Sequence, residues 1–198
     1  MKKKLILVTS PPACGKTYIS KKLAEELAHV VYLDKDTLIV LSNQIFKVAG
    51  QECNRSSEFF EKNIRDYEYE AILAIGLEAL VYDDIVLINA PFTREIRDKA
   101  YIDDLRKRIE KYNARLTVIW VVTDPEVCRR RMIERNSPRD KWKLENWDEY
   151  IKGVNFDIPT PLDDPAIADD LLLFYNSSDE EFRQSMKRVV DILEEREN

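Results

Sequence analysis

Leu5-Ile6-Leu7-Val8-Thr9-Ser10-Pro11-Pro12-Ala13-Cys14-Gly15-Lys16-Thr17 is the stretch on which the fold of this chain turns. Leu5–Val8 is a short, unbroken apolar run, the pattern of a strand covered on both faces. From Lys16 the period changes: Ile19, Leu23 and Leu27 recur every four residues, the stripe of a helix. Between them the residues follow the phosphate-loop pattern G-x-x-x-x-G-K-[ST], with Ser10 at its first glycine and Gly15, Lys16 and Thr17 in place. Pro11 and Pro12 fix a turn that glycine would otherwise permit. Such a turn directs backbone N–H groups inward, and the helix N-terminus adds positive potential, so the two cradle phosphate oxygens. The competing reading is a lysine opening an ordinary helix. The strand before the turn and the helix after it favour the phosphate loop.

Working outward, further apolar runs follow at Val30–Leu33, Ile85–Ile88, Leu116–Val122 and Leu171–Tyr175. Helical stretches separate them: about Thr37 to Val48, one long helix from Glu58 to Leu80, Arg94 to Tyr112, Pro125 to Arg135, and Ser178 to Glu195. The long helix is expected to bury Phe59/Phe60, Ile64, Tyr67, Ala71/Ile72, Ile75 and Ala79. Asp124-Pro125-Glu126 opens its helix with an Asp cap and a Pro at the first helical position. Strands alternating with helices predict an α/β fold: a five-stranded, mostly parallel sheet, doubly wound, with ligands along the C-terminal strand edge. The aperiodic segment Gly153–Asp170, with Pro159, Pro161 and Pro165, is expected to loop over the site. The expectation is a single domain over residues 1–198 with a small lid at about 129–150.

Composition narrows the function. The 198 residues are 44% apolar and 34% charged, ordinary for a globular chain, and they include only four glycines, against an all-β fold. Thirty-seven acidic against 31 basic residues give a net charge of −6, against binding duplex nucleic acid by a basic surface. Cys14, Cys53 and Cys128 are scattered and His29 is the single histidine, so neither a disulfide framework nor a Cys/His zinc site is expected. Reduced thiols point to a cytoplasmic protein. Met1–Lys4 precede an apolar run too short for a signal peptide, and no stretch is long enough to span a membrane.

The remaining motifs lie where strands end. Lys16 is placed to reach the β- and γ-phosphates of ATP, and the Thr17 hydroxyl to ligate Mg²⁺. The nucleotide-binding candidates are Pro12, Ala13, Cys14, Gly15, Lys16, Thr17 and Tyr18, with Arg131. A guanine-reading N-K-x-D is missing after the fourth strand, which ends Val121-Val122-Thr123-Asp124, so GTP selectivity is not expected. The third strand ends on Asn89, where many phosphate-loop ATPases carry a metal-directing Asp. That points to Asp34-Lys35-Asp36 at the end of the second strand, where carboxylates at i and i+2 project to one side. One of them can accept a proton from an attacking hydroxyl while the other orders Mg²⁺ through water; the spacing leaves open which is the base. Asp36 could instead simply cap the next helix. Arg131 and Arg135 share a helix face at i, i+4, and Arg139 follows the break at Pro138. Guanidinium groups suit phosphate and transition-state charge, although a basic run is more often a solvated face.

This set resembles the small phosphate-loop kinases of the 5′-polynucleotide-kinase, zeta-toxin and gluconate-kinase type, often grouped as AAA-domain ATPases. The resemblance covers about Lys2 to Asn155 and rests on the phosphate loop, the strand ending in Asp, Asn89-Ala90-Pro91-Phe92-Thr93, and an R-N-x-x-R lid. It implies that Lys16 and Thr17 hold ATP and Mg²⁺, with Asp34 as a metal-side carboxylate. Asp36 then falls on the general base, and Arg135 and Arg139 on the lid arginines. The arginine that such kinases often carry three residues after the base is Ile39 here, against a polynucleotide acceptor. The expected function is transfer of the ATP γ-phosphate to a hydroxyl of a small metabolite, nucleoside or nucleotide. The alternative is an ATP-binding switch or interaction module, or a simple ATPase. Gln44, Glu58, Arg65 and Arg94 are the candidates for acceptor contacts.

Overall fold

The computed structural model describes residues 3–159 and 170–194. Five parallel strands form one sheet in the order β2-β3-β1-β4-β5: β1 Lys3–Thr9, β2 Val30–Asp34, β3 Ile85–Asn89, β4 Ala114–Val122 and β5 Leu171–Tyr175. Each of the five expected strands forms, and β1 sits at the centre. The chain leaves β1 for the edge on one side and reaches β4 on the other, so the loop after β1 opens at a topological switch point.

Alternation along β1 divides the core in two. Leu5 and Leu7 pack on one face with Leu73, Leu77, Ile102 and Trp120; Ile6 and Val8 pack on the other with Ile19, Leu23, Phe174 and Val189. All four β1 side chains are fully buried. At ~1.5–3 kcal/mol for each large apolar side chain, this strand anchors the loop that follows it. Helices α1 (Lys16–Glu26) and α9 (Asp179–Leu193) cover one face, α4 (Arg65–Tyr82) and α5 (Lys99–Glu110) the other. Among the described residues no helix is long and apolar enough to cross a membrane.

Two expected helices are divided. The long helix breaks at Ile64 (φ −128°) into α3 (Glu58–Asn63) and α4. Ile64 gives up helical torsions to bury itself against Phe46 and Phe60, in a small cluster that also carries α2 (Ile39–Val48). The break shifts the buried face of α4 by about one residue: Glu68, Tyr69, Ile72, Leu73 and Leu77 point inward, while Tyr67 and Ile75 are exposed. The second division is at Asp98, whose carboxylate accepts from the amides of Ala100 and Tyr101 and so starts α5 later than the sequence suggests. Residues 94–98 form a 3₁₀ turn instead. The segment expected as a lid falls within α6 (Pro125–Arg135), a 3₁₀ turn over Pro138–Asp140, α7 (Lys141–Glu145) and α8 (Trp147–Gly153). The loop expected over the site is irregular through residue 159; residues 160–169 lie outside the described ones.

Candidate active site

The loop after β1 is held from behind. The Cys14 carbonyl accepts hydrogen bonds from Thr123 Oγ1 (3.1 Å), Asn176 Nδ2 (2.7 Å) and Arg131 (3.3 Å). A trans peptide points its N–H opposite to its C=O, so this triple anchor aims the Gly15 amide away from those donors, toward the cavity that Gly15 lines. Gly15 itself has φ +92°, and a Cβ there would stand 2.5 Å from Asn176 Nδ2. Both torsion and space therefore demand glycine. Ala13 shares the left-handed region at φ +64°, giving the loop the alternating backbone of an anion nest. The buried Cys14 thiol lies 3.5 Å from that of Cys128 on α6. Their hydrogen bond lowers the pKa of Cys14 and, together with burial, raises that of Cys128. Cys14 thus serves the loop through its backbone.

In front of the loop is an open cavity of about 430 Å³. Ser10, Pro11, Pro12, Ala13, Gly15, Lys16, Thr17 and Tyr18 form one wall; Asp36, Pro91, Thr93, Arg135 and Lys143 form the others. At its floor, Lys16 Nζ donates to Asn89 Oδ1 (2.6 Å), and Asn89 Nδ2 faces Asp34 Oδ2 (2.9 Å) and Thr17 Oγ1 (3.2 Å). Tyr32 also donates to Asp34 Oδ2 at 2.9 Å; burial and that carboxylate keep its phenol protonated far above the usual range. Asn89 thus occupies the place of an acidic residue while bridging the loop to Asp34 on the neighbouring strand.

Asp34 and Asp36 have separate tasks. Asp34 Oδ1 accepts from the Asp36 amide (3.0 Å) and caps the 3₁₀ turn Lys35–Leu38. The alternative role for Asp36, capping the next helix, is not taken up: α2 has no side-chain cap, and the Asp36 carboxylate, 58% exposed, lines the cavity. Lys35, between them, turns inward, with its ammonium 3.7 Å from Asp36 Oδ1. It is 4% exposed and donates to Glu68 Oε2 at 2.9 Å, and Glu68 also receives both arms of Arg55 (2.7 and 2.5 Å) and the Ser42 hydroxyl. Burial alone would raise the Glu68 carboxyl, but Arg55, Ser42 and Lys35 hold it down at about 2.

The other sequence candidates divide. Arg135 reaches the cavity and is held by Asp140 (2.6 Å), a carboxylate with no solvent exposure that Lys143 also approaches at 3.4 Å. Arg131, expected at the nucleotide, instead donates to the carbonyls of Cys14 and Asn176, bracing the loop from outside the cavity. The backbone of Arg139 is in the 3₁₀ turn after α6; its side chain lies outside the described residues. None of the four acceptor candidates lines the cavity. Gln44 is exposed on α2, and Glu58 pairs with Lys62, Arg65 with Glu95, and Arg94 with Glu61. Sequence patterns single out neither Tyr32, Glu68 nor Asn176, and they assign no individual role to Thr93 or Lys143. For Glu68 a signal existed: a carboxylate in helical register with Ile72 and Gly76, inside the apolar stripe.

Among the described residues no three His, Cys, Asp or Glu side chains cluster as a metal cage. What the structure offers is the Thr17 hydroxyl at the cavity and the Asp34 carboxylate behind it, both accepting from Asn89 Nδ2, hard oxygen donors too few to enclose an ion. Mg²⁺ fits such a site when phosphate oxygens and water supply its remaining ligands.

A central parallel β1, the switch-point loop and its G-K-T define a phosphate-loop fold. The chain belongs to the AAA domain family, whose model matches residues 5–155. Solved structures of several kinases share its fold. A suspected kinase from Chloroflexus aurantiacus J-10-fl superposes with a TM-score of 0.60 at 20% identity, all of each chain covered. A sugar kinase from Janibacter sp. HTCC2649 gives 0.55 at 14% identity, with 97% of this chain and 95% of that one covered. A gluconokinase from Sinorhizobium meliloti 1021 gives 0.53 at 17% identity, covering 100% and 99%. A search of curated proteins finds no match to the chain.

Proposed function

We propose that the protein is an ATP-dependent phosphotransferase that moves the γ-phosphate to a hydroxyl of a small metabolite, nucleoside or nucleotide. The observation that carries this reading is the convergence on one cavity of the loop bearing Gly15, Lys16 and Thr17, the exposed carboxylate of Asp36, and Arg135. A nucleotide-binding module needs the first of these but has no use for the other two.

In this reading the amides of the loop and the N-terminus of α1 hold the β- and γ-phosphates, and Lys16 exchanges Asn89 for phosphate oxygen. Thr17, with Asp34 acting through water, would hold Mg²⁺, which neutralises phosphate charge. Asp36 accepts the proton of the acceptor hydroxyl as its oxygen bonds to the γ-phosphorus and the bond to the ADP oxygen breaks. Arg135 meets the charge that develops on the transferring group, and Arg139 is its partner by resemblance. Asn89 is compatible with this chemistry because the Asp34 carboxylate stands 2.9 Å away. The neighbours described as a gluconokinase and a sugar kinase support a small, hydroxyl-bearing acceptor. The net charge of −6 argues against duplex nucleic acid, and the free cysteines fit the cytoplasm.

The experiment is a screen of alcohol acceptors with γ-labelled ATP. Label is expected on sugars, polyols or nucleosides, not merely in inorganic phosphate. Tight ATP binding with no acceptor labelled would leave the binding module instead.

A further inference from the structure

Asp36 is the exposed member of a chain of charges whose other members are buried. Lys35 precedes it and turns inward, and its ammonium lies 3.7 Å from Asp36 Oδ1 and 2.9 Å from Glu68 Oε2. A cation with 4% exposure cannot be left without a counter-charge, so Lys35 must hold a carboxylate. Two are within reach. Glu68 takes Lys35 at hydrogen-bond distance, while Asp36 makes only a longer ion pair at 3.7 Å, beyond a hydrogen bond, and still lines the cavity. Glu68 in turn is fixed by Arg55, from the segment after α2, and by Ser42 on α2 itself.

We propose that Glu68 is the positioning residue for Asp36: by satisfying the buried Lys35, it prevents that ammonium from capturing the Asp36 carboxylate. The inference rests on the phosphotransferase reading for its kinetic consequence but not for its geometry. The same carboxylate joins α2, the Arg55 segment and the 3₁₀ turn, so the placement of Asp36 is tied to the seating of the small helical layer beyond the strand edge. Tyr69, next on α4, packs under this layer with its ring 5.6 Å from Lys35 Nζ and its hydroxyl on the Pro91 carbonyl. Glu68 and Asp36 are the two carboxylates paired with Lys35, so neutralising Glu68 leaves Asp36 to take up the buried ammonium.

The test is Glu68→Gln, read in three ways. Its kcat per folded molecule is expected to fall by ~10²-fold, the scale of losing a general base, while ATP affinity stays as in wild type. Adding Lys35→Met to that variant removes the competing cation and is expected to recover at least ~10-fold of the loss, a coupling that independent sites would not show. A crystal structure of Glu68→Gln is expected to show Lys35 and Asp36 in direct contact. Should Glu68→Gln not fold, Lys35→Met alone, which removes the competing cation and leaves Glu68 to Arg55 and Ser42, is expected to keep kcat within ~3-fold of wild type, and a ~10²-fold loss there overturns the proposal. For Glu68→Gln, a kcat per folded molecule that matches wild type, a loss that Lys35→Met does not relieve, or an Asp36 that keeps its place in the crystal overturns it. If the wild type labels no acceptor, the phosphotransferase reading falls, and the Lys35–Asp36 distance in the variant still decides this one.

Discussion

The loop at residues 10–17 and the turn at residues 34–38 face each other across one cavity, but they are built by different means. The loop is a backbone device. Its shape comes from two left-handed residues, one of them a glycine whose torsion and close approach to Asn176 disfavour any side chain, and one carbonyl pinned by three donors. The turn is a side-chain device, in which Asp36 is placed by a buried lysine and a glutamate 33 residues from that lysine in sequence. The contrast matches the proposed division of labour. Phosphate is common to all nucleotides and can be gripped by peptide groups, whereas the acceptor differs between enzymes and is met by side chains free to vary.

If the two regions act separately, variants should separate binding from turnover. Arg135→Ala should have the largest effect: a fall in turnover of ~10³–10⁵ with ATP affinity little changed, because the guanidinium would meet transition-state charge. Steady-state kinetics beside calorimetry checks it, and parallel losses in both would place Arg135 in ground-state binding. Lys16→Ala should act on the other region, weakening Mg·ATP by ~10²-fold through loss of a charged hydrogen bond worth ~1.5–3 kcal/mol. Wild-type affinity in that variant would dissolve the contrast.

The acid response should sharpen it. The Glu68 carboxyl sits at about 2 in the folded protein, below its ordinary 4.5. A lowered folded value means the stability it contributes is full above about pH 4.5 and is lost as the pH falls toward 2. That limb amounts to at most ~3 kcal/mol. Urea midpoints across this range should fall more steeply in wild type than in Glu68→Gln, which has already lost the contribution. Parallel curves would remove Glu68 from the account. The smallest effect is expected at Gly15→Ala, with φ +92° and Asn176 in the way: ~1–2 kcal/mol of stability, seen as a lowered Tm.

The same contrast governs what could be read without the structure. All five strands, the loop and the Asp34/Asp36 edge were legible, because buried parallel strands are apolar runs and the G-K-T turn is contiguous. The break at Ile64 was not: it depends on Phe46 and Phe60 arriving from elsewhere, and local periodicity runs straight through it. Arg131 and Arg135 share a helix face, and periodicity could not foresee that one would brace the loop's back while the other reached the cavity. The Lys35–Glu68–Arg55 group was hidden for a related reason. Charge pairs made by tertiary approach leave only a weak trace in sequence, here a glutamate within an apolar stripe.

The division of labour is tested most directly at Asp36, by measuring ATP affinity and acceptor phosphorylation side by side in wild type and Asp36→Asn. The variant keeps the side chain's shape, and Asp34 keeps the cap, so folding and ATP affinity should be unchanged. Phosphoryl transfer should fall by ~10²–10⁴, the range for a lost general base. Full transfer in Asp36→Asn would contradict the account; loss on Asp34→Asn instead would move the base to the neighbouring carboxylate.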